Sequence, residues 1–283
     1  MKFLVLGATG MAGHTITYFL RENGHNVTTY SRTHFPLNKG ITGDITDSSF
    51  FRSIISDDYD VIINCIGILN EACDKDPEKA IFLNSYLPHA IVNRIKDTDT
   101  KLIHLSTDCV FSGKAAPYSE KSKHDGETLY DRTKSLGEVA CGRHLTFRNS
   151  IIGPDIKESG IGLLNWFMKQ SGTINGYTGA IWNGVTTLTL AKAIEKAATD
   201  NLTGLYHLVH PTSVNKYELL QLFNKHLKEN KMTILPSPIV QLDKTLLNSR
   251  QDFSFTVPSY EEMIVEMHDW IFSHKNLYPH YFK

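Results

Sequence analysis

The chain has 283 residues, of which 41% are hydrophobic and 21% charged, and its formal net charge is −1 at pH 7. That length can bury a sizeable core in one large domain, or in a main domain with a smaller one attached, so no disulfide or metal staple is needed. The 29 Lys and Arg balance 30 Asp and Glu without a long basic run, which argues against a nucleic-acid partner, and no stretch approaches the roughly 20 apolar residues of a membrane span.

Residues 2–6 read as a buried strand and 11–22 as a helix, followed by a strand at 26–30. Helical spacing recurs at 49–56, a third strand falls at 61–64, and 77–96 reads as one long helix. A strand at 101–105, a helix at 129–141 and a strand at 145–148 complete the first half. Strands alternating with helices predict an α/β fold with a doubly wound parallel sheet, helices on both faces. Residues 151–184 are rich in glycine and predict loops beside a pocket. A helix at 187–199, a strand at 205–208 and a helix at 216–228 follow. Pro236 and Pro238 predict a break, and 260–273 a last helix. No linker is evident, so the C-terminal portion is expected to fold onto the first.

The four cysteines, Cys65, Cys73, Cys109 and Cys141, lack C-x-x-C spacing and read as free thiols of a reducing cytosol. None has a Cys-His context that marks a nucleophile. The apolar run at the N-terminus is too short for a signal peptide, which makes a cytoplasmic address the expectation.

Gly7, Gly10 and Gly13 stand directly after the first strand with G-x-x-G-x-x-G spacing, Thr9 and Met11 between them. A strand-to-helix turn needs residues without Cβ for close approach of a diphosphate, and the helix then points free N–H groups at it. The second strand ends at Ser31 and Arg32. An acidic residue there would favour NAD; a hydroxyl and a guanidinium suit a 2′-phosphate, so NADPH is expected, with NADH as the alternative.

Tyr130 and Lys134 lie four apart on a predicted helix and share a face. An ammonium beside a phenol lowers its pKa, and the phenol can then give a proton to a carbonyl oxygen. Ser106, Thr107 and Asp108 follow the predicted strand, where open α/β sheets bind ligands. A hydroxyl there can hold the reacting carbonyl; the plainer alternative is a turn. His104 and His207 fall on predicted strands and read as packed or hydrogen-bonded, and no metal-ligand spacing appears.

The glycine turn, the stretch Ser106-Thr107-Asp108-Cys109-Val110-Phe111 and the Tyr130-x-x-x-Lys134 pair together resemble the extended short-chain dehydrogenase/reductase family. The similarity is to its branch of dTDP-4-dehydrorhamnose reductases and related nucleotide-sugar reductases. The resemblance implies a Rossmann domain over 1–150, to which later segments return, and a mainly substrate-binding portion over 151–283. It implies hydride transfer to a 4-keto sugar nucleotide, dTDP- or UDP-linked, and a homodimer. Thr107 would bind the keto oxygen, Tyr130 donate the proton, and Lys134 hold the nicotinamide ribose. Asp44 and Ile45, after a short strand that the periodicity does not reveal, would lie by the adenine; Cys65, Ile66 and Gly67 would line the cofactor and Asn84 support the site. Asp108, Val110, Phe111, Asn149, Ile181, Trp182, Asn183 and Arg250 would meet the substrate. Ile151 and the segment around 180 depart from the rhamnose pattern and leave the sugar open. A dehydratase would need a Glu where Cys109 stands; an epimerase, or a non-enzymatic cofactor-binding regulatory subunit, remains the alternative.

Overall fold

In the computed structural model, which describes residues 1–34 and 40–283, the apolar runs of the first half form one sheet. Its strands are β1 (Lys2–Leu6), β2 (Asn26–Ser31), β3 (Ile41–Thr42), β4 (Val61–Asn64), β5 (Lys101–Thr107), β6 (Leu145–Asn149) and a returning β10 (Gly204–His207). The order is β10-β6-β5-β4-β1-β2-β3, and every neighbouring pair is parallel. Strand order reverses between β1 and β4, which places a ligand crevice beyond their C-terminal ends.

Both faces are covered, which is why the strands read as unbroken apolar runs. Phe3, Val5, Val61, Ile63 and Ile103 pack under α1 (Met11–Glu22) and α8 (Thr187–Thr199). Leu4, Leu6, Ile62 and Leu102 face α2 (Ser48–Ile54) and α5 (Leu87–Arg94).

The helix expected over 77–96 is composite: α4 (Pro77–Ala80), a π turn (Ile81–Tyr86) and α5, after a short α3 (Glu71–Lys75). Pro88 lacks the N–H that would bond the Asn84 carbonyl, so the ladder widens at that point. The helix expected over 129–141 is α6 (Leu129–Leu136), ending at Gly137. A Cβ at Gly137 would stand 1.8 Å from the Asn84 carbonyl oxygen, so the two helical segments meet through a bare backbone.

The glycine-rich stretch is more regular than its composition implies. It holds β7 (Ile151–Ile152), α7 (Leu163–Met168) and a ten-residue strand β8 (Thr173–Trp182), and β7 pairs with β9 (Val185–Thr186). β8 pairs with β11 (Val214–Asn215) and with β12 (Thr233–Asp243). The break expected at Pro236 and Pro238 lies inside β12. β12 is an edge strand, where a missing N–H costs no ladder bond, and its register shifts between Ser237 and Gln241. A second core, with Phe167, Phe223, Ile264, Met267 and Trp270, binds this sheet to α9 (Lys216–Leu227) and α10 (Tyr260–Ser273). No helix among the described residues is long and apolar enough to cross a membrane.

Candidate active site

β1 ends in a turn through Gly7, whose φ is +81°, and a Cβ at Gly13 would come within 2.3 Å of the Gly7 carbonyl oxygen. Only glycine lets α1 start this close to the strand. The N-cap of α1 is Gly10, which brings no side-chain acceptor, and its first turn has no acidic residue. By contrast α2, α6, α8, α9 and α10 all receive a side-chain cap. The positive end of α1 is thus left for an anion.

A cavity of about 530 Å³ opens from this turn. Gly7, Thr9 and Gly10 line it at β1, Ser31 and Arg32 at β2, Asp44 and Ile45 after β3, and Cys65, Ile66 and Gly67 after β4. The Thr46 backbone and side chain hydrogen-bond the Asp44 carboxyl and, helped by Lys79 and Arg32, hold it below the usual range. Met11 and Gly13, on α1, are not among the lining residues. Asn84 is not either: its Oδ1 accepts the Ile68 N–H at 2.9 Å, and its Nδ2 donates to the Ile68 carbonyl at 3.0 Å and to the Thr133 hydroxyl at 3.1 Å. It ties the strand-end loop to α6, with both amide hydrogens engaged.

Tyr130 and Lys134 lie on the buried face of α6, which starts at a capping box of Thr128 and Asp131. The Thr107 hydroxyl, at the end of β5, is near enough to the Tyr130 phenol to favour its ionised form. It also donates to Asp108 Oδ1 at 3.0 Å and accepts the Cys109 N–H at 3.1 Å. Burial is the largest influence on the phenol and raises its pKa, as do Cys109 and Asp108. The net direction is therefore upward, against the expectation of a lowered phenol. The amine is directed elsewhere, donating to the Leu105 carbonyl at 2.7 Å. Burial lowers Lys134 to about 8. Cys65 joins the two parts, since it lines the cavity and its thiol feels Lys134. Burial pushes Cys65 and Cys109 up to about 12, so neither is a thiolate near neutrality.

Of the residues expected at the substrate, Asp108 and Asn149 stand beside Thr107; Asn149 is its partner across β5 and β6. The Asn149 Nδ2 is buried without a hydrogen-bond partner, a donor facing unmet demand. Trp182 is packed in the second core, with its indole N–H also unpaired, and Ile181 is half-buried next to it. Four expectations are corrected. Val110 and Phe111 are fully buried, and Phe111 stacks on Tyr118 at 4.1 Å, because the 3₁₀ turn Asp108–Val110 directs them inward. Asn183 spends its amide on the Leu246 backbone, at 2.7 and 3.2 Å. Arg250 is committed to Asp252 and to the carbonyls of Thr203 and Leu205 at the start of β10, so its guanidinium anchors a strand.

Residues 1–251 match the family model described as the RmlD substrate binding domain. The chain belongs to this family. Among curated members similar to this RmlD-family chain, a dTDP-4-dehydrorhamnose reductase of Streptomyces griseus is 33% identical over 49% of this chain and 44% of its own length. A probable low-salt glycan biosynthesis reductase of Haloferax volcanii is 30% identical over 50% of this chain and 48% of its own. The chain thus spans about half the length of these relatives in the matched region. The dTDP-4-dehydrorhamnose reductase of Escherichia coli is 26% identical over 96% of this chain and 99% of its own length. A hypothetical dTDP-4-dehydrorhamnose reductase from Sulfolobus tokodaii superposes with a TM-score of 0.76 at 25% identity, covering 92% of this chain and 98% of that one. One from Bacillus anthracis, in complex with NADP, superposes at 0.80 with 18% identity, over 95% and 99% of the two chains, and shares the fold.

Some site residues of this RmlD-family chain escape the sequence. Lys79 and Lys157 line the cavity with Arg32. Lys157 arrives from the loop before α7, which crosses the phosphate turn closely enough that a Cβ on Gly162 would meet Met11 Sδ at 3.2 Å. Lys216 lies 4.8 Å from the Trp182 ring centre and, with Lys244, feels the Asp108 carboxyl. No motif marks these four lysines; tertiary structure alone collects them. Arg32, Lys79 and Lys157 in one cavity, with the bare helix end, fit a dinucleotide carrying an additional phosphate.

Proposed function

We propose that this chain is an NADPH-dependent reductase of a nucleotide-linked 4-keto-6-deoxy sugar, with Thr107, Tyr130 and Lys134 as its reacting group. The reading rests on one observation: the Thr107 hydroxyl and the Tyr130 phenol share a buried corner, joined through Cys65 to the cavity at the glycine turn. The names of its relatives support the substrate class: they are reductases of dTDP-linked keto sugars.

When bound, the dinucleotide supplies the hydride. The chain does the rest. Gly7, Thr9 and Gly10 receive the diphosphate at the end of α1, and Arg32, Lys79 and Lys157 favour the form bearing a 2′-phosphate. Tyr130 is neutral at working pH, so the phenol holds the proton the keto oxygen must gain. The Thr107 hydroxyl turns from Asp108 to that oxygen, and Asp108 meets a neighbouring sugar hydroxyl. Charged Lys134 binds the ribose hydroxyls and stabilises the phenolate left behind.

NADPH oxidation measured against dTDP- and UDP-linked 4-keto-6-deoxy sugars tests the proposal. Stoichiometric consumption with a reduced sugar supports it. Sugar conversion without net consumption would replace it with an epimerase, and binding of NADPH with no conversion across the panel would favour a regulatory subunit.

A further inference from the structure

His104 stands behind Lys134 and has no part in the reaction as described. It lies on β5 and is fully buried. Its Nδ1 is 3.2 Å from Asn64 Nδ2, at the end of β4, and its Nε2 is 3.4 Å from Lys134 Nζ. The second contact of Asn64 decides how the amide is turned, because its Oδ1 accepts the Ile66 N–H at 3.1 Å. The amide nitrogen therefore faces His104 and donates to Nδ1. A neutral imidazole carries a single N–H, so the proton is on Nε2 and points at the lysine. Against an ammonium that N–H is repulsive. Against a neutral amine it is a hydrogen bond, with the amine lone pair accepting and an amine hydrogen going to the Leu105 carbonyl at 2.7 Å.

We propose that His104 is a positioning residue for Lys134: pinned by Asn64 with its N–H on Nε2, it fixes the amine against the Leu105 carbonyl and disfavours its charged form. The consequence for catalysis rests on the reductase reading; the state of the ring does not. Glu138 and Cys65 also face Lys134, and Glu138 and His89 face His104. Glu138 and Cys65 both act in favour of the ammonium, but the Glu138 carboxylate is tied to Arg148, His124 and Ser106, and burial keeps the Cys65 thiol neutral. Burial first, and then Lys134, hold His104 well below the usual histidine range, so the ring stays neutral as Lys134 titrates. Activity that needs a charged Lys134 is present below its pKa of about 8 and declines as pH rises through it.

Long-range ¹H–¹⁵N correlation of the histidine rings in the full-length, cofactor-free protein tests the geometry. Between about pH 7 and about pH 9 the His104 ring is expected with Nε2 protonated and Nδ1 bare. A ring protonated on Nδ1, or on both nitrogens, overturns the proposal. His104→Gln, whose amide can turn its oxygen to the amine, is expected to move the alkaline limb of the kcat profile up by about one pH unit. A uniform loss of kcat with the limb in place means packing alone and also overturns it. If His104→Gln does not fold, the ring spectrum of the parent decides. If the parent oxidises no NADPH with any keto sugar, the reductase reading fails and the ring spectrum still decides this inference.

Discussion

Burial, the Cys109 thiol and the Asp108 carboxyl hold the Tyr130 phenol neutral, while the Thr107 hydroxyl acts the other way. A neutral phenol is the state that a reduction consumes, so the free protein is primed for proton donation rather than abstraction. Thr107→Val keeps the volume but removes the hydroxyl; kcat is expected to fall about a hundredfold in a steady-state assay with little change in cofactor affinity. Arg32→Ala removes one of three cations at the cavity. It is expected to weaken NADPH about tenfold in a fluorescence titration and leave NADH unchanged, as loss of a charge-assisted contact requires. The turn at Gly7 and the shared buried face of Tyr130 and Lys134 are legible because both follow from local spacing. Val110, Phe111, Asn183 and Arg250 sit in or near motifs yet serve packing and backbone bonding, which spacing cannot reveal.

The helix carrying Tyr130 and Lys134 is set by its neighbours. The Asn84 carbonyl, released by Pro88, packs where Gly137 ends α6. Gly137→Ala forces that contact apart and is expected to cost about 2 kcal/mol in denaturant unfolding, with kcat falling as the pair shifts. Just beyond Gly137, Glu138 receives the Arg148 guanidinium at 2.9 and 2.6 Å. Burial opposes its charge, but His124, Arg148 and Ser106 bring the carboxyl down to about 2. The sign follows from linkage. The folded pKa lies below the unfolded value of 4.5, so this stabilisation is complete above about pH 4.5 and is lost as pH falls towards about 2. Glu138→Gln should cost about 3 kcal/mol at pH 7, since it leaves a buried guanidinium without its anion, and flatten the acid side of the stability curve. At this scale the sequence is legible where a segment is local and periodic: β1, α1, β4, α8 and α10 match their expected bounds. β8 and β12 are not, because their glycines and prolines look like loop until a partner strand is beside them.

Across the whole molecule, the C-terminal segment is fastened to the phosphate turn. His14 Nδ1 donates to the Gly10 carbonyl at 2.8 Å, its Nε2 accepts the Tyr278 hydroxyl at 2.9 Å, and Trp270 donates to that oxygen at 3.0 Å. Burial lowers His14 to about 4, which keeps the ring neutral and the chain of bonds intact near neutrality. Tyr278→Phe strands both partners and should lower stability by about 2 kcal/mol, read as a drop in Tm. No sequence pattern links residues 14 and 278; the parallel sheet and the second core bring them together. The most direct test of the account compares the parent with Tyr130→Phe in single-turnover NADPH oxidation by a dTDP-linked 4-keto-6-deoxy sugar, with NADPH affinity measured alongside. The predicted result is a rate loss of about a thousandfold or more at nearly unchanged affinity; comparable rates in the two proteins would contradict it.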